Sequence, residues 1–233
     1  TTTPGLGRYV ISMGAKKENV ETFHLGINLK VFRPLQKDIA LLRQLGLEEN
    51  SKIIVFMGTL YDFSGLDNII SNFNILKNAI GNIRLLIVGG GPDLVNLRTL
   101  VKRKKLENEI KITGFIPQED IPKYIALADI CVNPFYINIV TDSILPTKIL
   151  EYSACGKPVI STPLKGTVEL LPNENFGVTY STTENFIENM INLLLDEKKM
   201  KELGENGHLY VKMNHDWDKL SEKLLQKFKD FTS

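Results

Sequence analysis

Short apolar runs rich in β-branched residues alternate along this chain with longer amphipathic runs, and that alternation restricts the fold more than any other feature. The runs Ile53–Met57, Ile83–Val88, Ile110–Thr113, Ile130–Asn133, Val159–Ser161 and Val178–Tyr180 read as strands of a parallel sheet, apolar nearly throughout because such sheets are covered on both faces. Between the first two, Leu66, Ile69, Ile70, Phe73 and Leu76 recur at helical spacing, until Gly81 and Asn82 stop the helix. Strand, helix and strand in repetition are the sequence form of βαβ units. The expected fold class is therefore α/β, a Rossmann-like parallel sheet flanked by helices.

The 233 residues suffice for one such core with short extensions. Residues 1 to 50, with Pro4, Gly5, Gly7, Gly14, Gly26 and Pro34 scattered through them, read as a connecting region holding two short helices. Residues 51 to 214 carry the alternation. Within them, Ser181 and Glu184 read as a capping box for a helix with Phe186, Ile187, Met190, Ile191 and Leu194 on its apolar side. Residues 215 to 233 form a last helix, capped by Asp216, with Trp217, Leu220, Leu224, Phe228 and Phe231 on one side.

Charge and cysteine usage remove several function classes. A formal net charge of +1 provides no overall field to attract nucleic acid. The cluster Lys102-Arg103-Lys104-Lys105 falls at the end of a predicted helix, where it complements the helix dipole as a solvated face. Cys131 and Cys155 sit in apolar stretches outside any CxxC pair, which fits reduced core thiols of a cytoplasmic protein. No run reaches bilayer-spanning length, and Thr1 to Gly5 lack the charged and apolar regions of a signal peptide; any membrane contact is expected to be peripheral.

In an open parallel sheet, ligands collect beyond the carboxyl ends of the strands, so the loops there are the places for chemistry. The first, Met57 to Gly65, has glycine near both ends; bare backbone at Gly58 can approach a phosphate, and the same glycines also serve a plain tight turn. The second, Val88-Gly89-Gly90-Gly91-Pro92-Asp93, departs from the dinucleotide fingerprint, because Leu94 stands where GxGxxG needs its last glycine. The third is the most specific. Pro146 opens a helix, Lys148 falls in its first turn, Glu151 one turn later, and Gly156 and Pro158 lead into a strand. The helix N-terminus and the Lys148 ammonium can share the charge of a diphosphate, while Glu151 can accept both hydroxyl protons of a ribose. Without a ligand, Lys148 and Glu151 make only an i, i+3 pair worth roughly 0.2–0.5 kcal/mol.

Taken in order, these motifs resemble the donor-binding, C-terminal domain of the family-4 retaining glycosyltransferases of the GT-B fold. The resemblance runs nearly end to end: Phe23-His24-Leu25-Gly26-Ile27-Asn28 with Phe32-Arg33-Pro34, Phe56-Met57-Gly58-Thr59 with Gly65-Leu66-Asp67, and Leu86 to Pro92. It continues through Ile112-Thr113-Gly114-Phe115-Ile116-Pro117, Tyr124 to Asp129 and Leu150 to Ile160, and closes on the Trp217 helix. The resemblance implies transfer of a sugar from a nucleoside diphosphate sugar, UDP- or GDP-linked, to a glycan or lipid-linked hydroxyl acceptor. It implies no further cofactor and no metal. An N-terminal, acceptor-binding domain, absent from these residues, would precede them, and the last helix would cross back towards it, bringing Trp217 near residues 1 to 20.

By the same resemblance, Glu151 contacts ribose, Pro146 and Thr147 lie along the diphosphate, and Phe115 and Ile116 line the base pocket. Gly58 and Gly90 bring backbone close to the donor. Two departures stand out. The family's first glutamate position holds Ser143, with Asp142 beside it as a substitute contact for the donor sugar; the positions of a family arginine and lysine hold Thr59 and Ser64. Each missing cation forfeits about 1.5–3 kcal/mol of charge-assisted bonding to diphosphate, part of which Lys148 can restore. The competing readings are a non-catalytic nucleotide- or sugar-binding module, and a GT-B epimerase or phosphorylase; a phosphorylase would need a cofactor-anchoring lysine for which no signature exists.

Overall fold

All six apolar runs form strands, and all six are parallel. The computed structural model describes residues 1–232, with side chains through Asp230. In chain order the elements are α1 (Pro4–Ser12), α2 (Ile39–Gln44), β1 (Lys52–Met57), α3 (Leu66–Ser71), α4 (Phe73–Ile80), β2 (Ile83–Val88), α5 (Leu94–Lys104) and β3 (Ile110–Ile112). There follow α6 (Ile121–Ala126), β4 (Ile130–Asn133), α7 (Thr147–Ala154), β5 (Val159–Ser161), α8 (Lys165–Leu170), β6 (Val178–Tyr180), α9 (Phe186–Leu195), α10 (Glu197–Asn214) and α11 (Trp217–Thr232). The sheet order β3-β2-β1-β4-β5-β6 reverses direction between β1 and β4. In such doubly wound sheets the crevice at that reversal is the ligand position.

The strands lack polar alternation because each feeds two cores. Ile54, Phe56, Leu85, Ile87 and Val132 point to one face, packed by Leu66, Ile70 and Phe73 below and Met190 and Leu193 of α9. Ile53, Val55, Leu86, Val88 and Cys131 point to the other, under Ile149, Tyr152 and Val211. Successive side chains of a strand face opposite ways, so every position of β1 after its first residue is buried. Both cysteines are buried and unpaired.

Two local expectations are altered by side-chain competition, and the placing of Trp217 differs as well. The apolar stripe from Leu66 to Leu76 is two helices, because Asn72 turns its amide back onto Asn68 (2.9 Å to both the carbonyl and the side-chain oxygen) and breaks the run. The box of Ser181 and Glu184 does not form. The Ser181 hydroxyl accepts instead from Asn189 at 2.9 Å, so α9 begins at Phe186 without a side-chain cap. At the chain's end Asp216 does cap α11, accepting from the Asp218 N–H at 3.1 Å. Trp217, however, lies against Gly26 and Ile27 rather than residues 1 to 20: its N–H donates to Ile27 at 3.0 Å, and a Cβ on Gly26 would stand 2.2 Å from the indole. Farther along α11, Lys227 pairs with Glu21. Phe231, placed on the same face from sequence, lies outside the described side chains.

Candidate functional site

The crevice begins as a gap in the hydrogen-bonding of the sheet. β4 pairs with β1 only at Ile54–Ile130 and Val55–Cys131, then diverges. Gly58 donates to Val88 of β2, so alternation turns the N–H of Met57 towards the departed β4. A buried N–H needs a partner. The Tyr152 hydroxyl supplies it, accepting from Met57 at 2.6 Å, and so fixes α7 to the end of β1.

With Tyr152 anchored, the preceding turns of α7 border a cavity of about 320 Å³. Gly58 and Thr59 form one side, Phe63 and Phe135 another, and Pro146, Thr147, Lys148 and Glu151 the third. Pro146 holds the N-cap position and contributes no side-chain cap to the eight-residue helix. The Ile149 N–H turns back to the Pro146 carbonyl at 3.0 Å, whereas no side chain among the described residues accepts from the N–H groups of Thr147 and Lys148, which face the cavity's end of the helix.

Lys148 is the most unusual group in the chain. The residue is only 9% exposed, yet among the described residues its ammonium makes no ion pair and instead lies 3.8 Å from the centre of the Phe56 ring and 4.4 Å from that of Phe135. Cation–π contact offsets part of the lost hydration. Gly58, at φ +134, leaves the room: a Cβ there would come within 3.0 Å of Lys148 Nζ. Burial lowers the lysine to about 7, against the opposing field of Glu151. Burial likewise raises the partly buried Glu151 to about 7, against the field of Lys148.

These two shifts have opposite consequences for stability. The raised value of Glu151 contributes stability that is complete below its unfolded value near 4.5 and is lost as pH rises through about 7. The lowered value of Lys148 contributes stability that is complete above about 10.5 and is lost as pH falls through about 7. The pair therefore weakens the ligand-free domain most near neutrality. Thermal melts of wild type and Lys148→Met from about pH 5 to about pH 9 check this: above pH 7 the wild type should gain Tm relative to the variant. A difference between them that stays constant across the range would refute the lysine's part.

Only some of the other residues singled out from sequence border this cavity. Thr59 is exposed at its rim. Ser64 is 1% exposed and its hydroxyl accepts from the Tyr61 N–H at 3.0 Å, which makes it a turn-forming residue in this structure. Gly90 lies beneath Phe115, since a Cβ there would be 2.8 Å from that ring; Phe115 is itself 78% exposed, and Ile116 packs on the core. Asp142 and Ser143 border a separate cavity of about 650 Å³, together with Gly5, Arg8, Lys165 and Glu169. Lys165 holds Asp142 at 2.6 Å and keeps its carboxyl below the usual carboxylate range. Among the described residues, no group of three His, Cys, Asp or Glu side chains could hold a metal ion.

Sequence reading missed the aromatic wall. Tyr61 and Phe63 stack at 4.9 Å, and Phe63 meets Phe135 edge-on at 5.4 Å, continuing to Phe56 at 6.5 Å. The available signal was positional: Phe56 and Phe135 both fall at carboxyl ends of strands that border the reversal.

Comparison with known proteins agrees with this architecture. The family model for glycosyl transferases group 1 matches residues 38–210. Over 203 residues the chain is 26% identical to a GDP-mannose-dependent alpha-(1-6)-phosphatidylinositol monomannoside mannosyltransferase of Mycobacterium tuberculosis, covering 85% of this chain and 53% of that protein. It is 30% identical over 169 residues to the amylovoran biosynthesis glycosyltransferase AmsK of Erwinia amylovora, covering 72% and 40%. The chain thus spans about half the length of the curated relatives it matches. Among solved structures, HepE of Anabaena in complex with UDP superposes with a TM-score of 0.84 at 20% identity, over 99% of this chain and 63% of that one. The C-terminal domain of a group 1 glycosyl transferase (LpcC) from Francisella tularensis is covered completely by 82% of this chain, with a TM-score of 0.67 and 20% identity. A six-stranded parallel sheet wound 3-2-1-4-5-6, a cavity at its reversal and a family match across most of its length together place this chain among the group 1 glycosyl transferases, as a Rossmann-like domain of GT-B type.

Proposed function

We propose that this chain is the donor-binding half of a retaining glycosyltransferase that takes a sugar from a nucleoside diphosphate sugar to a hydroxyl acceptor. The observation that carries the reading is the convergence of Lys148, Glu151 and the uncapped start of α7 on one cavity at the sheet's reversal. In this reading the helix N-terminus and Lys148 receive the diphosphate, and they stabilise it as it departs with the charge of the broken glycosidic bond. Glu151 accepts from the ribose hydroxyls. Phe115 and Ile116, beyond β3, flank the base; Thr59 and Gly90 lie beside the phosphates through main chain.

Residues 1 to 50 would connect to a preceding acceptor domain, residues 51 to 214 bind the donor, and residues 215 to 233 cross back. Acceptor contacts and any catalytic base would come from that preceding domain, so these residues alone bind donor without turning it over. The relatives' names include a phosphatidylinositol mannoside acceptor, which favours a glycan or lipid-linked acceptor met from the cytoplasm, with peripheral membrane contact. No helix among the described residues is long and apolar enough to cross a membrane.

Calorimetry with UDP-glucose and GDP-mannose tests the proposal. Heat of binding is expected with at least one of them; a folded sample silent to both would sink it. The second reading, a binding module without chemistry, draws on the engagement of Asp142 by Lys165, which leaves the donor sugar without a free carboxylate from that loop. Under it, the longer protein would bind donor yet neither transfer nor hydrolyse its sugar.

A further inference from the structure

A second concave site lies where residues 28–34 meet α10 and the start of α11, a cavity of about 480 Å³ that shares no lining residue with the donor cavity. Lys30, Arg33, Lys212 and Lys219 border it, against the carboxylates of Asp216 and Asp218. The acids are already engaged. Asp218 pairs with Lys30 at 2.8 Å, and Asp216 accepts from the Asp218 N–H at 3.1 Å. Lys219 makes only a 3.4 Å contact to the Lys212 carbonyl. The Arg33 guanidinium and the Lys212 ammonium have no hydrogen-bond or ion-pair partner among the described residues, so uncommitted positive charge gathers on one concave surface.

Two further groups give the cavity a chemical character. Trp217 borders it with half of its surface exposed (50%), its position set by Gly26 behind it. His208 also borders it, with Nδ1 2.8 Å from the Ala154 carbonyl; Nδ1 therefore carries the proton, and Nε2 remains for a ligand. An arginine fork and two ammonium groups suit a compact dianion better than a single carboxylate. An indole face beside them suits a ring attached to it.

We propose that this cavity binds a phosphate monoester carried on a ring, with the phosphate among Arg33, Lys212 and Lys219 and the ring on Trp217. Nucleoside monophosphates and sugar phosphates share that chemistry. The site is independent of the donor cavity. It adjoins the C-terminal end of α7 through His208 and Ala154, whereas the donor cavity adjoins the N-terminal end of the same helix.

The chain contains one tryptophan, so its emission reports on this cavity directly. Titration with uridine monophosphate and, separately, glucose 6-phosphate is expected to change Trp217 emission saturably for at least one of them, and the stronger binder identifies the ring. Uridine and glucose, lacking the charge, are expected to give no saturable change at the same concentrations. Arg33→Ala and Lys212→Ala, both at exposed positions, should each weaken the response about tenfold while leaving the melting temperature unchanged. The response should persist in Lys148→Met, whose defect is confined to the donor cavity. Absence of a saturable change with both phosphates, an unaltered response in the Arg33→Ala/Lys212→Ala double variant, or loss of the response in Lys148→Met would each overturn the proposal.

Discussion

Lys148→Met is expected to weaken binding of a nucleoside diphosphate by about 10- to 150-fold, the equivalent of one charge-assisted hydrogen bond of roughly 1.5–3 kcal/mol. The effect is large because the first loop offers no replacement: Thr59 is uncharged, and the Ser64 hydroxyl is already engaged by the Tyr61 N–H. Fold stability should hardly fall. Lys148 has no ion-pair partner among the described residues to strand, its ammonium is buried, and Glu151, already raised to about 7, can take up a proton when the cation is gone. Methionine matches the length of the stem and keeps the contacts with Phe56 and Phe135. Calorimetry and thermal melts on one preparation separate the two outcomes. Tight binding retained by the variant, or a collapse of Tm alongside lost binding, would show Lys148 to be a packing residue and not a ligand residue.

Gly65→Ala is expected to destabilise the domain by about 2–5 kcal/mol, combining roughly 1–2 kcal/mol for left-handed backbone with roughly 1–3 kcal/mol for forced overpacking. Gly65 sits at φ +68, and a Cβ on it would be 1.9 Å from the carbonyl oxygen of Pro134. That carbonyl belongs to the segment leaving β4, so the glycine is where the two loops flanking the crevice touch. A main-chain bond from Tyr136 to Phe63 at 2.9 Å lies close by, and forcing the loops apart would separate the Phe63–Phe135 contact as well. Gly46→Ala is the matched control: its φ is +66, and its N–H and that of Leu47 close the end of α2 onto Arg43 and Leu42 in the left-handed capping pattern, but nothing lies within 4 Å of its added Cβ. Urea denaturation should show Gly65→Ala losing clearly more than Gly46→Ala. Equal losses would mean that backbone handedness alone accounts for both, and that the close approach to Pro134 relaxes at no cost.

The strands were legible in sequence because burial on both faces leaves an unbroken apolar run, and β4, β5 and β6 fall on the expected residues. The start of α7 was legible too, since Pro146 fixes its own φ and bars the preceding turn from being helical. What stayed hidden depended on side chains choosing between partners. Asn72 turned to Asn68, and Ser181 was taken by Asn189 eight positions along the chain; neither choice alters the hydrophobic period. The site followed the same division. Lys148 and Glu151 share one helix, so their spacing alone brings them together. Phe56, Phe63 and Phe135 come from three different segments, and only the paired ends of β1 and β4 put their rings in one wall. The path of residues 136–145 was illegible for a related reason: no periodic element governs it, and Asp142 settled on Lys165 from the segment after β5.

The Tyr152–Met57 bond separates what holds the crevice open from what selects its occupant. The opening is maintained by strand divergence and one phenol of α7, whereas the groups that would meet a ligand come from the turn before it, where Lys148 precedes Tyr152 by four residues on the same face, and from flanking loops. Substitutions at the rim can therefore accumulate without disturbing the scaffold, and a single ancestral framework can diversify towards new donors while its core drifts little. Tyr152, by the same reasoning, is where drift should be least tolerated, although it would touch no substrate.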